Sequence, residues 1–404
     1  MSRPESAGLS SPRLQHLDRF LQQRYLDTGK LPCALTLIER NGEIAHLSAL
    51  GRMDVERNRP LQEDTIFRIY SMTKPLTSLA LMMLVEEGRI ALDDPVHRYI
   101  PQWRDLCVYE GGFIGTFRTR RTSAPMRVVD LMRHTSGLTY GFQQRTNVDA
   151  AYRKLALGEI PGAVPLERMV DELAKVPLEF SPGTAFNYSV STDIVGYLVG
   201  KIAGQPFEQF LRTRILDPLG MSDTDFMVPA AKASRFAACY AATPGGGMTL
   251  QDDPQTSFFL KPPGFVSGGG GLVSTAADYL RFCRMLLNGG TLDGVRLVSP
   301  KTLELMSQNH LPGGKELPDL SVSLFSEVTY HGVGFGLGFA VSMSPARALI
   351  PGSAGDISWG GLASTYFWVD PRERLIVIFM TQLTPSATYP IRRELRTLVY
   401  SAFT

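Results

Sequence analysis

The sequence predicts an α/β protein: an antiparallel sheet flanked by helices, with a mostly helical domain inserted into it. Three observations carry that expectation. Asn41-Gly42 separates two alternating apolar runs, a strong short-range hairpin signal. Two more runs that read as strands, 364–369 and 375–381, lie near the other end of the chain. Between these ends the apolar spacing is mainly helical.

Taken in order, Ser11-Pro12 caps a helix whose apolar stripe is Leu14, Leu17, Leu21 and Tyr25 and which stops near Gly29. Runs 34–40 and 43–50 flank the Asn-Gly turn. Helices are predicted over 76–87, 165–175, 192–203, 206–216 and 275–287, separated by Gly- and Pro-rich loops such as 242–247 and 261–271. Residues 335–343 read as one strand, and Asp370-Pro371-Arg372-Glu373 joins the strands at 364–369 and 375–381. Pro390 starts a last helix striped by Ile391, Leu395, Leu398 and Val399. The sheet is thus expected to draw on both ends of the chain. Residues 1–85 with 325–404 form the α/β domain, 86–324 the helical one, and an active site is expected at their interface.

Composition narrows the function classes. The 404 residues suffice for two or three domains at about 150 residues each. A formal charge of +2 with no basic block makes nucleic acid an unsuitable partner. Cys33, Cys107, Cys239 and Cys283 are scattered and form no Cys-x-x-Cys pair, which fits buried thiols in a reducing compartment. Residues 1–8 lack the apolar core of a signal peptide, and 79–85 is far too short to span a bilayer. A cytoplasmic location with no membrane partner is expected. No His-Glu-x-x-His cluster or phosphate loop is present, so neither metal nor cofactor is expected, and Gly334-Phe335-Gly336-Leu337-Gly338 reads as a glycine-rich strand.

Three stretches can carry chemistry. In Ser71-Met72-Thr73-Lys74 the serine and lysine fall one helical turn apart. A serine hydroxyl needs a base before it can attack, and a nearby lysine of lowered basicity can supply one. The helix N-terminus adds N–H groups aimed at developing negative charge. A lone Ser-x-x-Lys is more often a cap beside a solvated lysine. Tyr188 follows the turn Ser181-Pro182-Gly183-Thr184 and can place its phenol in a cleft, or be an ordinary buried tyrosine. In Trp359-Gly360-Gly361-Leu362 the paired glycines can admit a substrate close to the backbone, or form a bulge, and the Leu362 N–H can serve as an oxyanion donor beside that of Ser71. Tyr109, Phe113, Tyr140, Phe142 and Trp359 are candidates for lining a pocket.

Together these stretches resemble the serine β-lactamase and penicillin-binding superfamily, and in particular the family VIII carboxylesterases, esterases with a class C β-lactamase-like fold. Phe67-Arg68-Ile69-Tyr70-Ser71-Met72-Thr73-Lys74, Asp130-Leu131-Met132-Arg133-His134-Thr135-Ser136-Gly137-Leu138 and Gly183-Thr184-Ala185-Phe186-Asn187-Tyr188-Ser189 carry the likeness, with Pro218-Leu219-Gly220-Met221 and Gly268-Gly269-Gly270-Gly271-Leu272-Val273-Ser274-Thr275. It runs over nearly the whole chain. The resemblance implies Ser71 as nucleophile, Lys74 and Tyr188 as a coupled proton pair, and an oxyanion hole from the N–H groups of Ser71 and Leu362. Trp359, Gly360 and Gly361 take the place of the lactamase Lys-Thr-Gly, and with Tyr140 and Phe142 they are the expected substrate-binding residues.

Two departures bear on the substrate. Val190 stands where the lactamase Tyr-x-Asn has asparagine, and Trp359 where Lys-Thr-Gly has lysine. Both changes favour a neutral ester over a β-lactam. No Gly-x-Ser-x-Gly competes with Ser71, Ser222-Asp223-Thr224 reads as a structural turn, and His134 as structural rather than as part of a triad. The expected activity is a serine carboxylesterase acting on short-chain neutral esters through an acyl-enzyme. The alternatives are a β-lactamase, a D-amino-acid peptidase or an acyltransferase on the same fold, or a non-catalytic binding protein. The natural ester and the oligomeric state stay open.

Overall fold

The computed structural model describes residues 3–162, 164–322 and 331–404. Its largest element is an eight-stranded antiparallel sheet. The strand order is Val333–Phe335, Ala340–Ser342, Ile357–Gly360, Tyr366–Asp370, Leu375–Met380, Cys33–Arg40, Glu43–Asp54 and Arg59–Pro60. The two ends of the chain meet where Cys33–Arg40 pairs with Leu375–Met380, in a register that sets Leu35 opposite Met380. Asn41 and Gly42 both take positive φ, 56° and 83°, as the tight turn of this hairpin demands.

Side chains alternate across the sheet and so feed two cores. On one face Leu375, Val377 and Phe379 pack with Leu14, Leu17 and Leu21 of the helix Ser11–Leu21 and with Ile391, Leu395 and Val399 of the helix Ile391–Tyr400. On the other face Ile376 and Ile378 join the larger core, which includes the helices Thr73–Glu86, Ser191–Ala203 and Ala276–Leu287. Residues 73–84 are buried on every side, so the helix carrying Lys74 is the hub of the molecule rather than an amphipathic surface helix. Truncating a leucine such as Leu76 or Leu79 there to alanine costs about 2–5 kcal/mol, because so packed a site cannot collapse around the void.

Three readings are corrected. The run 335–343 is a tight hairpin, with Val333–Phe335 pairing with Ala340–Ser342. Gly338 turns the chain at φ +101°, and a Cβ there would lie 2.3 Å from Ser78 Oγ on the central helix. Gly338 thus serves close approach of backbone to helix, while Gly334 lies within the first strand of the hairpin. Second, Trp359 and Gly360, which the sequence reading assigned to no strand, belong to one, Ile357–Gly360. Third, the stretch read as mostly helical also holds the hairpins Cys107–Gly111 with Arg118–Arg121 and Cys239–Ala242 with Met248–Asp252. Arg118–Arg121 is exposed throughout and offers no apolar alternation to read. The expected boundary at 324/325 lies outside the described residues. Among those described, no helix is long and apolar enough to cross a membrane.

Candidate active site

Ser71 lies in a 3-10 turn, Tyr70–Met72, that runs into the helix Thr73–Glu86. Tyr70 holds a positive φ of 40°, a strained conformation for a tyrosine and a feature that clusters at functional sites. One turn on, Lys74 is fully buried. Its Nζ donates to Ser71 Oγ at 3.2 Å, to the Gly269 carbonyl at 2.7 Å and to Tyr140 Oη at 3.2 Å. The ammonium also lies 4.5 Å from the centre of the Tyr188 ring and 5.5 Å from that of Tyr140. Such partners are what make a buried ammonium tolerable.

Tyr188 Oη is 2.7 Å from Ser71 Oγ. The indole Nε1 of Trp359 donates to the same phenol oxygen at 3.3 Å. Ser71, Lys74 and Tyr188, 117 positions apart at the extremes, therefore converge on one hydroxyl. The geometry suits an activated nucleophile: a hydroxyl with two proton-exchanging groups within hydrogen-bond reach, each held by further contacts.

Other groups set the electrostatics. Asp193, in the first turn of Ser191–Ala203, is buried and accepts from Ser267 Oγ at 2.5 Å and from the Gly269 N–H at 2.9 Å. Burial raises its pKa, opposed by Ser267, by the Lys74 charge and by the Gly269 N–H. Gly269 thus takes a carboxylate on its N–H and the ammonium on its carbonyl. Burial, and then the nearby Asp193 and Tyr188, hold the Tyr140 phenol well above its ordinary range, so it stays protonated beside Lys74. His134 is pushed well below its usual pKa by burial and by the Lys74 charge. Its neutral ring packs 4.8 Å from that of Tyr188, and its Nδ1 pairs with Ser189 Oγ at 3.3 Å. It supports the tyrosine; among the described residues no hydrogen bond joins it to Ser71.

A cavity of about 570 Å³ opens over Ser71, in the size range of small-molecule sites. Ser71, Tyr140, Phe142, Tyr188, Asp193 and Leu362 border it. Tyr140 and Phe142 stack at 4.7 Å between ring centres. Trp359, Gly360 and Gly361 do not border it. The indole is buried against Tyr188 and Phe335, while a Cβ on Gly360 would stand 2.3 Å from the Arg392 guanidinium and one on Gly361 2.3 Å from the Ile69 carbonyl. The space the sequence reading gave to substrate at these glycines is filled by the protein itself.

Tyr109 meets Phe117 edge-on and Phe113 is exposed; neither borders the cavity. Val190 is buried and would clash with any Cβ at Gly158. Asp223 is tied up by Arg235 and Lys232, and Thr224 by Asp278, as suits a structural turn. Asp193 is a polar group at the site that sequence reading missed. An acidic residue in the first turn of a helix is an ordinary response to the helix dipole, so nothing local marks it.

Comparison with known proteins follows the same lines. The Beta-lactamase family model matches residues 17–401. Protein Rv1367c of Mycobacterium tuberculosis is 36% identical over 362 residues, covering 89% of this chain and 88% of that protein. Esterase EstB of Burkholderia gladioli is 30% identical over 418 residues, covering 98% and 96%. Among solved structures, EstCE1, described as a hydrolase with promiscuous acyltransferase activity, superposes with a TM-score of 0.81 at 25% identity, covering 96% of this chain and 99% of that one. The chain belongs to the Beta-lactamase family, in the branch its motifs resemble, the family VIII carboxylesterases.

Proposed function

We propose that the protein is a serine carboxylesterase that hydrolyses short-chain neutral esters through an acyl-enzyme on Ser71. The observation that carries this reading is the convergence of Lys74 Nζ and Tyr188 Oη on Ser71 Oγ at the cavity floor. Ser71 Oγ attacks the ester carbonyl and its proton passes to the Lys74/Tyr188 pair, which in the attacking state holds one proton fewer than ammonium plus phenol. The tetrahedral oxyanion is met by the N–H groups of Ser71 and Leu362, at the cavity wall. The pair returns the proton to the departing alcohol, then activates water to release the acid. On this reading the site lies between the α/β part, 1–85 with 325–404, and the insert, 86–324. The four free thiols suit a cytoplasmic location.

The preference for esters rests on Val190 and Trp359. Neither offers an amide or an ammonium to a β-lactam, and neither borders the cavity. Each lost hydrogen bond to a charged group is worth roughly 1.5–3 kcal/mol. Two such losses predict kcat/KM about 10²–10⁴ lower for nitrocefin than for p-nitrophenyl butyrate. Both constants are measured on one preparation, with intact mass and peptide mapping to locate the adduct. Nitrocefin turning over as fast as the ester would replace the esterase reading with a lactamase one.

Acyl transfer is a second reading, supported by the likeness to EstCE1 and by a cavity roomy enough for an acyl group and an acceptor. An alcohol acceptor that raises the rate of p-nitrophenol release and appears as a new ester in the products would favour it.

A further inference from the structure

The mechanism above makes no use of Arg392, the second residue of the helix Ile391–Tyr400. It is buried, though a guanidinium so close to a helix start would ordinarily reach solvent. Its Nη2 donates to two backbone carbonyls, Gly361 at 2.8 Å and Thr365 at 2.9 Å. These carbonyls bracket the turn that leads out of the strand Ile357–Gly360. The turn is closed by the Gly361 N–H donating to Thr365 O at 2.9 Å and the Ser364 N–H to Gly361 O at 3.1 Å.

The carbonyl of Gly361 and the N–H of Leu362 are the two ends of one peptide group, whose plane is fixed by amide resonance. We infer that Arg392 is a positioning residue for the oxyanion hole: by holding the Gly361 carbonyl it sets the direction of the Leu362 N–H and makes that N–H a stronger donor. This rests on the esterase reading, in which Leu362 meets the oxyanion. A charged donor on a carbonyl forms a bond roughly twice as strong as a neutral one. Hydrogen bonds at the two ends of an amide reinforce each other, because each draws electron density the same way through the group. Preorganised donors of this kind need no rearrangement when the negative charge appears.

The glycine pair fits this role. With a side chain at 360, a Cβ would stand 2.3 Å from the guanidinium, so glycine there leaves room for Arg392 beneath the loop. At 361 a Cβ would stand 2.3 Å from the carbonyl of Ile69, two residues before Ser71. Gly360 therefore admits Arg392, and Gly361 lets the Leu362 side of the hole close on the segment that carries the other donor.

The test compares an ester with its thiono analogue, in which sulfur replaces the carbonyl oxygen and profits little from oxyanion donors. Wild type, Arg392→Lys, Arg392→Gln and Gly360→Ala are assayed on p-nitrophenyl butyrate and O-(p-nitrophenyl) thionobutyrate, with enzyme in excess so that single turnovers are followed. Removing a whole oxyanion donor costs about 10²–10³ in rate, so misaligning one should lower the saturating single-turnover rate constant on the ester about 10- to 100-fold, with the half-saturating enzyme concentration little changed. The thionoester should lose far less, so the ester-to-thionoester ratio drops in Arg392→Gln and Gly360→Ala and recovers in part in Arg392→Lys. Circular dichroism checks folding, and if Arg392→Gln does not fold, the ratio in Arg392→Lys decides. Equal losses on both substrates would reduce Arg392 to a structural pin and overturn the inference; so would a wild-type ratio in the folded variants. If instead wild type forms no acyl adduct on Ser71, it is the esterase reading that fails.

Discussion

The floor and the mouth of the cavity are built on different terms. At the floor, Lys74 is fully buried, Tyr188 is nearly so, and each side chain is held by several hydrogen bonds or ring contacts. At the mouth, Phe142, Gln144, Glu159 and Pro161 border the same cavity but face solvent. A buried, multiply held group has one arrangement, and losing a partner leaves an unmet charge or donor behind. An exposed group has water as an alternative partner. Changes at the floor should therefore appear in kcat, and changes at the mouth in KM and substrate choice.

The largest effect is expected at Ser71, the proposed nucleophile. Ser71→Ala should remove at least about 10⁴ of kcat while leaving the circular dichroism spectrum unchanged, since the lost atom is one hydroxyl at a cavity wall. A fluorophosphonate probe should label wild type at Ser71 and the variant nowhere; labelling of another serine with Ser71 intact would break the assignment of the floor. Lys74→Ala and Tyr188→Phe come next, each costing about 10²–10⁴ in kcat. Their double variant should lose less than the product of the two, because the pair moves one proton. Near-wild-type turnover in Tyr188→Phe would leave Lys74 as the sole base and show the 2.7 Å phenol contact to be structural.

The same contrast explains how much could be read in advance. The one-turn spacing of Ser71 and Lys74 was legible because helical period is a local signal, but their expected roles came from the motif. Joining of the sheet from both ends was legible because the strand patterns around 34–50 and 364–381 match and Asn41-Gly42 names its turn. Tyr188 emerged from its motif rather than from any local physics. What stayed hidden is long-range. The Tyr140 and Gly269 contacts of Lys74 span 66 and 195 positions, and no pattern of apolar spacing encodes them. Gly360 and Gly361 were noticed, but a sequence does not say whether an empty Cβ position is filled by substrate or by Arg392 and Ile69. Strand Ile357–Gly360 escaped because it is short and ends at a glycine pair, and Arg118–Arg121 because it is exposed throughout and has no apolar alternation.

Trp359 sharpens the boundary between the two regions. It is buried yet does not border the cavity, and its effect on chemistry runs through one indole N–H, 3.3 Å from the Tyr188 oxygen. Trp359→Phe keeps an aromatic ring against Phe335 and removes that donor. A neutral hydrogen bond of this kind is worth about 0.5–1.5 kcal/mol, which corresponds to a roughly 2- to 10-fold fall in kcat. KM should stay within about twofold, since no contact with substrate is removed. A change confined to KM would place the indole with the mouth instead.

Phe142 should give the smallest effect and is the cleanest test of the division. Its ring is 48% exposed and stacks on Tyr140 at 4.7 Å with an interplanar angle of 19°. Phe142→Ala removes that stack from the outer side of Tyr140, while the phenol of Tyr140 keeps its 3.2 Å tie to Lys74. Aromatic pairs contribute about 0.5–1.5 kcal/mol beyond their area, and at a half-exposed position most of the area term is absent. The expected result is a KM for p-nitrophenyl butyrate raised about two- to fivefold, with kcat within about twofold. Lengthening the acyl chain should widen the KM difference if the ring covers the acyl group, and leave it constant if the ring covers the alcohol. The decisive comparison is with Lys74→Ala. A kcat loss in Phe142→Ala approaching that of the lysine variant would mean that stacking at the mouth holds Tyr140, and through it Lys74, in register, and the floor and mouth would then be one unit rather than two.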